Sequence, residues 1–172
     1  MRRILFSVAL VFGVALSGFA QDVARFEIYG GAAFLRDPRN FNRYGWVTSF
    51  TGNANEWFGV KGEVAGVYND GDNVHSYLGG PQFTLRRSSR LEPWAHFLVG
   101  AQHNAPPVFT IQIFPPPSIP RTFFAIEPGG GVDVSLNHRI SLRFGADYVR
   151  TIRELRDVGH YRAHSGIVFK LP

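Results

Sequence analysis

Apolar and polar residues alternate along almost the whole chain after its N-terminal stretch. Ile140, Leu142 and Phe144, for example, share one face of a segment, and Ser141 and Arg143 share the other. Strict alternation predicts β-strands, because successive side chains of a strand point to opposite faces of the sheet. We predict eight strands, at residues 23–35, 44–53, 56–68, 73–86, 91–103, 122–136, 139–151 and 160–171.

These segments are long for a soluble protein, whose strands have about 5–6 residues, and match the roughly 9–11 residues of a tilted membrane strand. Alternation alone fits a soluble barrel with its apolar face inward or a membrane barrel with that face outward. The connections favour the second, because the three longest, 36–43, 104–121 and 152–159, are all odd-numbered and emerge from one end of an up-and-down barrel. We therefore predict an all-β, eight-stranded, antiparallel, up-and-down transmembrane β-barrel.

Charged residues lie on the polar faces of the strands, where unlike charges are close in sequence. Lys61 shares a face with Glu63, and Arg143 shares one with Asp147. A narrow lumen filled by paired side chains has this pattern, since burying an unpaired charge is costly. A solvated sheet face is the alternative interpretation. The predicted lumen network consists of Glu27, Lys61, Glu63, Glu92, Asp133, Arg143, Asp147, Arg162 and Lys170.

Aromatic residues near the strand ends suit the two interfacial girdles of a membrane barrel, where a ring lies half in lipid and half in water. We assign to these girdles Trp46, Trp57, Tyr68, Trp94, Tyr161 and Phe169.

Prolines and glycines predict local irregularities. Pro81, Pro93 and Pro128 fall inside predicted strands, where proline cannot donate a ladder hydrogen bond. We expect irregular pairing at Pro81 and Pro128, which adjoin glycines. The glycines at 129–131 predict close packing against a bulky lumen residue. The proline-rich connection 104–121 is expected to be a stiffened, exposed loop.

Residues 1–20 have the pattern of an export signal. Arg2 and Arg3 precede an apolar run at 4–16, and small residues follow at 17–20. A short membrane anchor is the alternative, although the run is below the roughly 20 residues that a helical span needs. Cleavage would leave a barrel domain at 21–172 and lower the formal charge of +5 by two. Export argues against nucleic acid as a partner.

The sequence contains little that indicates catalysis. It has no cysteine, which excludes disulfides, thiolate metal sites and thiol nucleophiles, and its six histidines lack metal-motif spacing. A barrel that deacylates lipid A would need a histidine and a serine two residues apart on the lipid-facing side, whereas His164 and Ser165 are adjacent and so face opposite ways. We predict no cofactor, no metal and no enzymatic activity. Arg36, Arg39 and Arg43 make the first long loop basic, which suits lipopolysaccharide phosphates or an acidic partner; a solvated loop without a ligand is the alternative.

With these segments in place, the chain resembles the bacterial outer-membrane β-barrel domain family with OmpA- and OmpX-like eight-stranded barrels. The resemblance is carried by YLGGPQFTLRR (77–87), LEPWAHFLVGAQH (91–103), EPGGGVDVSLNHRISLRFGADYVRT (127–151) and YRAHSGIVFKL (161–171). It implies an outer-membrane location, contact with membrane lipid and lipopolysaccharide, and insertion by the barrel-assembly machinery. Barrels of this kind usually end on an aromatic residue, whereas here Phe169 is followed by Lys170, Leu171 and Pro172.

Three functional hypotheses follow. The first is a non-enzymatic outer-membrane barrel with a structural or surface-interaction role and a side-chain-filled polar lumen. The second is a soluble, exported, lipocalin-like barrel that binds a small apolar ligand, and the third is a lipid A-modifying barrel enzyme. The direction of the apolar face separates the first two: it points outward in a membrane barrel and inward in a lipocalin. The residues that decide are Phe58, Val60, Ile140, Leu142, Phe144, Ile167 and Phe169.

Overall fold

The computed structural model describes residues 24–36, 42–69, 72–86, 90–105, 122–152 and 157–172. These residues form eight strands: β1 (Phe26–Arg36), β2 (Asn42–Asn53), β3 (Phe58–Asn69), β4 (Asp72–Thr84), β5 (Leu91–Ala105), β6 (Thr122–Ser135), β7 (Ile140–Ile152) and β8 (Val158–Leu171). All eight predicted strands are therefore confirmed, with small shifts at their ends. The predicted export signal at 1–20 lies outside the described residues. Within the described part of the chain, no helix is long and apolar enough to cross a membrane.

The strands pair antiparallel in chain order and close into a barrel. Closure joins β1 to β8, in a register that runs from Phe26 opposite Leu171 to Arg36 opposite Tyr161. Closure leaves the sheet without a free edge, so each strand has a partner on both sides. The predicted up-and-down topology is confirmed.

The two ends of the barrel differ. At one end, which we call the turn end, β2 joins β3 and β6 joins β7 through tight turns. The Asn55 side-chain oxygen accepts hydrogen bonds from the backbone N–H groups of Trp57 (3.0 Å) and Phe58 (2.8 Å). Asn137 does the same for the backbone of Arg139 and Ile140, at 2.8 Å each. These turns form because asparagine can bond its own downstream backbone. We call the opposite end, where β1 ends and β2 begins, the loop end.

The apolar face of the sheet points outward. Val60 is 58% exposed and Phe144 is 49% exposed, whereas the adjacent Lys61 and Arg143 are completely buried. The other diagnostic residues, Phe58, Ile140, Leu142, Ile167 and Phe169, share this outward parity and are half-buried or exposed. The interior thus holds the polar side chains, together with small apolar clusters such as Leu78, Leu98 and Ala125. This is the arrangement predicted for a membrane barrel and the opposite of a lipocalin.

The prolines interrupt the ladders without shifting their register. Between β4 and β5, Gly79 pairs with Val99 and Gln82 with His96, and the residues between them, including Pro81, are unbridged. Between β6 and β7, a gap of equal length on both strands contains Pro128. The irregular pairing expected at these prolines is present, but no extra residue is inserted, so neither is a bulge.

Pro93 lies where a proline does least damage. The β4–β5 ladder ends at the pair Thr84 and Trp94, and just beyond it the backbone N–H of Leu85 donates to the carbonyl of Pro93 at 2.8 Å. The missing N–H of Pro93 therefore falls at the end of the ladder, so the pairing is not interrupted there.

Candidate functional site in the barrel interior

The register of the strands brings interior residues of opposite charge into neighbouring positions. Glu27 pairs with Lys170 across β1 and β8, and Asp147 pairs with Arg162 across β7 and β8. Asp133 pairs with Arg143 across β6 and β7. Because these residues share the inward parity, their side chains meet inside the barrel rather than on its outer surface.

The first of two charged groups lies toward the turn end, and we call it the turn-end cluster. It consists of Glu27, Arg86, Glu92, Asp133, Arg143 and Lys170. The Arg143 guanidinium donates two hydrogen bonds of 2.7 Å to the two oxygens of Asp133 and one of 3.2 Å to Glu27. Arg86 donates to the second oxygen of Glu27 at 2.5 Å. Lys170 donates to Glu92 at 2.6 Å. Such charge-assisted and bidentate contacts are the strong hydrogen bonds of a protein interior.

Aromatic rings enclose the guanidinium of Arg143. Its central carbon lies 5.3 Å from the ring centre of Tyr29 and 5.0 Å from that of Trp94. These are cation–π distances, which suit a cation that is withdrawn from water. Trp94 is buried inside the barrel, so its assignment to an outward girdle was wrong. Its inward parity, shared with Glu92 and His96, was the signal that places it there.

Glycines make room for the Trp94 ring. A Cβ atom on Gly131 or on Gly145 would lie 2.8 Å from the edge of the ring, too close for an ordinary contact. The predicted packing of the glycines at 129–131 against a bulky lumen residue is therefore confirmed for Gly131. Large rings can enter so narrow a barrel only where the opposing wall carries no side chain.

The second charged group, which we call the central cluster, consists of Lys61, Glu63, His96, Glu127, Asp147, Arg162 and His164. Arg162 is its centre, because its guanidinium contacts three carboxylates. It donates to Glu127 at 2.7 Å, to Asp147 at 2.8 and 3.0 Å, and to Glu63. Lys61 contacts Glu63 at 2.7 Å.

Two buried histidines border this cluster. His96 accepts a hydrogen bond from Lys61 at Nδ1 (3.2 Å), and its Nε2 lies 3.2 Å from Oδ1 of Asp147. The Nε2 atom of His164 lies 3.4 Å from the other Asp147 oxygen, and its Nδ1 lies 2.7 Å from the Tyr29 hydroxyl. His96, Glu127 and Asp147 bring their donor atoms within 4.8 Å of one another. Among the described residues they are therefore candidates for holding a metal ion.

The structure places all nine residues of the predicted lumen network in these two clusters, but parity alone did not identify every member. Glu127 was missed, although it has the inward parity of Asp133, because Pro128 and the following glycines interrupt the alternation. Arg86 was also missed, although it has the inward parity of the predicted strand 73–86; in the structure it lies two residues beyond the end of β4 and reaches back to Glu27. The two missed residues thus lie next to a strand irregularity and next to a strand end.

The arginines of the predicted basic loop do not all lie in one loop. Arg36 ends β1 and is exposed, and Arg39 lies outside the described residues. Arg43 belongs to β2 rather than to the loop, and its inward parity places it beside a small recess at the loop end. We call this the outer recess; it is lined by Leu35, Arg43, Val67, Val74, Ser76, Gln102, Val149, His160 and Arg162. Arg162 is the residue it shares with the central cluster.

Several outward aromatic residues do lie near the two ends of the strands. Trp57 and Phe169 are exposed near the turn end, and Tyr161 is exposed near the loop end. Trp46 donates to the hydroxyl of Tyr68 at 3.0 Å on the outer surface. Five of the six residues assigned to the girdles therefore face outward, with Trp94 as the exception.

Several solved structures have a fold similar to this barrel. The barrel is similar to Neisserial surface protein A (NspA), at 12% identity and a TM-score of 0.69, covering 85% of this chain and 97% of that one. It is also similar to the outer-membrane protein OprG from Pseudomonas aeruginosa, at 11% identity and a TM-score of 0.64, covering 88% and 99%. Ail, the attachment invasion locus protein of Yersinia pestis, matches at 17% identity and a TM-score of 0.50, covering 84% and 96%.

No protein-family model matches the sequence, and no curated protein matches it significantly. The similarity to these structures is therefore a similarity of fold, and the outward apolar face and the charged interior agree with it. By its fold, the chain is a closed, eight-stranded β-barrel of the outer-membrane type, like the OmpA- and OmpX-like proteins.

Proposed function

We propose that this protein is a non-enzymatic β-barrel of the bacterial outer membrane, with a structural or surface-interaction role and a lumen closed by its own side chains. The observation that carries the proposal is the inverted burial, with large apolar residues outside and charged residues inside. Each of the eight strands has at least one large apolar residue exposed on the outer wall. Such an apolar outer surface is unfavourable in water and favourable in lipid.

Strand length supports a membrane-spanning role. The described strands have 11 to 15 residues. At about 3.3 Å per residue and a tilt near 45°, the shortest of them spans about 25 Å, which is the height of the apolar band of an outer-membrane barrel. Residues 1–20 would direct export, and the barrel-assembly machinery would insert the chain.

The interior argues against an apolar ligand in the lumen and against conduction through it. Arg143 and Arg162 are buried and each bonds several carboxylates, so charged side chains occupy the space that a lipocalin would offer to an apolar ligand. An eight-stranded barrel leaves little further room, and a general diffusion pore needs about 16 strands. We infer that the two clusters close the lumen and stiffen the barrel.

The loop end is the part of the molecule available to partners outside the cell. NspA is by name a surface protein and Ail an attachment protein, so barrels of this fold include proteins named for surface roles. The exposed Arg36 and the neighbouring Arg39 would favour lipopolysaccharide phosphates or an acidic partner. The lipid A-modifying alternative has less support, because His164 and Ser165 are adjacent on β8 and so face opposite sides of the barrel wall.

Membrane fractionation combined with gel mobility tests the proposal. We expect the mature protein in the outer-membrane fraction, and we expect the folded barrel to migrate differently from the boiled one. Recovery from the soluble periplasm without a mobility shift would refute it. A current through the purified barrel in a planar bilayer would refute the closed lumen alone. Altered acyl chains of lipid A in cells that produce the protein would instead favour the enzyme.

A further inference from the structure

Three neighbouring strands bring a possible metal-binding set together on one patch of the inner wall. Gly129 on β6 pairs with His96 on β5 and with Asp147 on β7, so these two side chains flank a glycine in the same cross-strand row. Glu127 lies two residues away on the same strand with the same inward parity. The set therefore follows from the register of the barrel, and no contiguous sequence motif encodes it.

Gly129 is what allows His96 and Asp147 to approach each other. A Cβ atom at Gly129 would lie 2.0 Å from Oδ1 of Asp147 and 2.6 Å from Nε2 of His96. Both atoms thus occupy the space that any other residue would fill. The two atoms lie 3.2 Å from each other but without the geometry of a hydrogen bond, and Oε2 of Glu127 also has no hydrogen-bond partner. Buried polar atoms of a native protein normally have a partner, so three such atoms, on residues whose donor atoms converge within 4.8 Å, point to a missing ligand.

We propose that His96, Asp147 and Glu127 bind one divalent transition-metal ion, with zinc as the best-fitting member of that class. One imidazole nitrogen and two carboxylate oxygens are ligands that zinc accepts. In a tetrahedral zinc site with bonds of about 2.0–2.2 Å, ligand atoms lie about 3.3–3.6 Å apart. Nε2 of His96 lies 3.2 Å from Oδ1 of Asp147, which is close to that spacing, and the donor atoms of all three residues lie within 4.8 Å of one another. A water molecule or His164 would complete the coordination.

The surrounding charges favour a further cation. Among the described residues, the central cluster has the carboxylates of Glu63, Glu127 and Asp147 against the cations Lys61 and Arg162. Arg162 bonds Oε1 of Glu127 and Oδ2 of Asp147, and so leaves the other oxygen of each carboxylate for a metal. Hydrogen bonds of this kind orient the ligands of a metal site from the second layer.

Lys61 opposes metal binding and therefore provides a specific test. It donates to Nδ1 of His96, so Nε2 carries the proton of the neutral ring. Coordination at Nε2 moves this proton to Nδ1 and removes the hydrogen bond from Lys61, which keeps its contact with Glu63. Replacing Lys61 by methionine removes both the competing hydrogen bond and a nearby positive charge. The Lys61→Met variant should consequently bind zinc more tightly than the natural protein.

The experiment is a calorimetric titration of the refolded, tag-free, chelator-treated barrel with Zn²⁺, and with Mg²⁺ as a comparison. We expect one zinc per chain, binding at least tenfold weaker in His96→Gln and in Asp147→Asn, and binding several-fold tighter in Lys61→Met. His160→Gln, which changes another buried histidine, is the matched control and should leave the affinity unchanged. Gel mobility before and after boiling verifies that each variant is folded.

Absence of zinc binding by the natural protein would overturn the proposal, as would equal affinity in His96→Gln or equal binding of Mg²⁺. If the ligand variants do not fold, ¹⁵N resonances of the natural protein decide the question. Zinc must then shift the ring nitrogens of His96 and leave those of His160 in place, and the reverse pattern would overturn the site. Neither result depends on the role of the barrel at the cell surface.

Discussion

The two charged clusters of the interior differ in how their charges balance. Among the described residues, the turn-end cluster has three cations, Arg86, Arg143 and Lys170, against three carboxylates, and they alternate along a chain in which each residue contacts one or two partners. The central cluster has more carboxylates than cations, and one guanidinium, that of Arg162, serves three of them. The balanced group is thus suited to closing the barrel, and the unbalanced group to binding something further.

Trp94 forms the boundary between the clusters. Its ring centre lies 5.0 Å from the guanidinium carbon of Arg143 on one side and 5.4 Å from Nζ of Lys61 on the other. The rings of His96 and His164 also lie against it, at 5.2 and 5.9 Å. An apolar ring between two charged groups limits how far one group can compensate a loss in the other. We therefore expect substitutions in the two clusters to change the stability of the barrel largely independently of each other.

The largest effect is expected for Arg162→Met. This change leaves three buried carboxylates with Lys61 as their remaining cation in the cluster, and breaking a buried ion pair costs about 3–5 kcal/mol. We expect the free energy of unfolding to fall by about that amount, as measured by urea unfolding of the refolded barrel. Replacing Glu127 by glutamine in the same background should recover part of the loss. If Arg162→Met had no effect on stability, the central cluster would not depend on that guanidinium.

A smaller, pairwise effect is expected in the turn-end cluster. Arg143→Met leaves Asp133 without its bidentate partner, whereas Glu27 keeps Arg86 at 2.5 Å. A double-mutant cycle of Arg143→Met with Asp133→Asn should give a coupling energy of about 1–3 kcal/mol in urea unfolding. The same cycle between Arg143 and Glu63, on the other side of Trp94, should give a much smaller coupling. Equal couplings would mean that the two clusters act as one network.

Trp94→Phe should weaken the boundary itself. The smaller ring loses cation–π contact with Arg143 and Lys61, which is worth about 0.5–2 kcal/mol at buried sites. We expect stability to fall by about 1–2 kcal/mol and the coupling between Arg143 and Glu63 to increase. Urea unfolding of Trp94→Phe measures the stability loss, and the cycle between Arg143 and Glu63, repeated in the Trp94→Phe background, measures the coupling. A stability loss with unchanged coupling would leave Trp94 as a packing residue only.

The sequence predicts where the strands lie and which way each interior side chain points, but not which side chains meet. Alternation predicted the strands and the direction of residues such as Lys61 and Arg143, because a strand has a side-chain period of two wherever it lies. It did not predict partners, since these depend on the stagger between strands when the barrel closes. The parity of His96 gives its inward direction, and only the register of β5, β6 and β7 places it beside Asp147.

The residues that were missed from the sequence have different causes. Glu127 precedes a proline and three glycines that interrupt the alternation, whereas Arg86 has the inward parity of its strand and lies two residues beyond the end of β4. Trp94 was assigned outward from its residue type and its place near a strand end. Its burial depends on Gly131 and Gly145, which lie on other strands. The parity of Trp94 indicates the inward direction of its ring, but the space for the ring is left by glycines distant in sequence, which a local pattern does not show.

The smallest effect is expected on the outer surface, at Arg150. Its guanidinium donates to Asp157 at 2.5 and 3.1 Å, a geometry at least as close as that of the interior pairs, but both side chains are substantially exposed. Solvent and salt screen such a pair, which therefore contributes little to stability. Arg150→Met should leave urea unfolding almost unchanged, against the large loss of Arg162→Met, and any small change should shrink further as salt is added. A loss as large as that of Arg162→Met would show that burial is not what separates the interior charges from the surface ones.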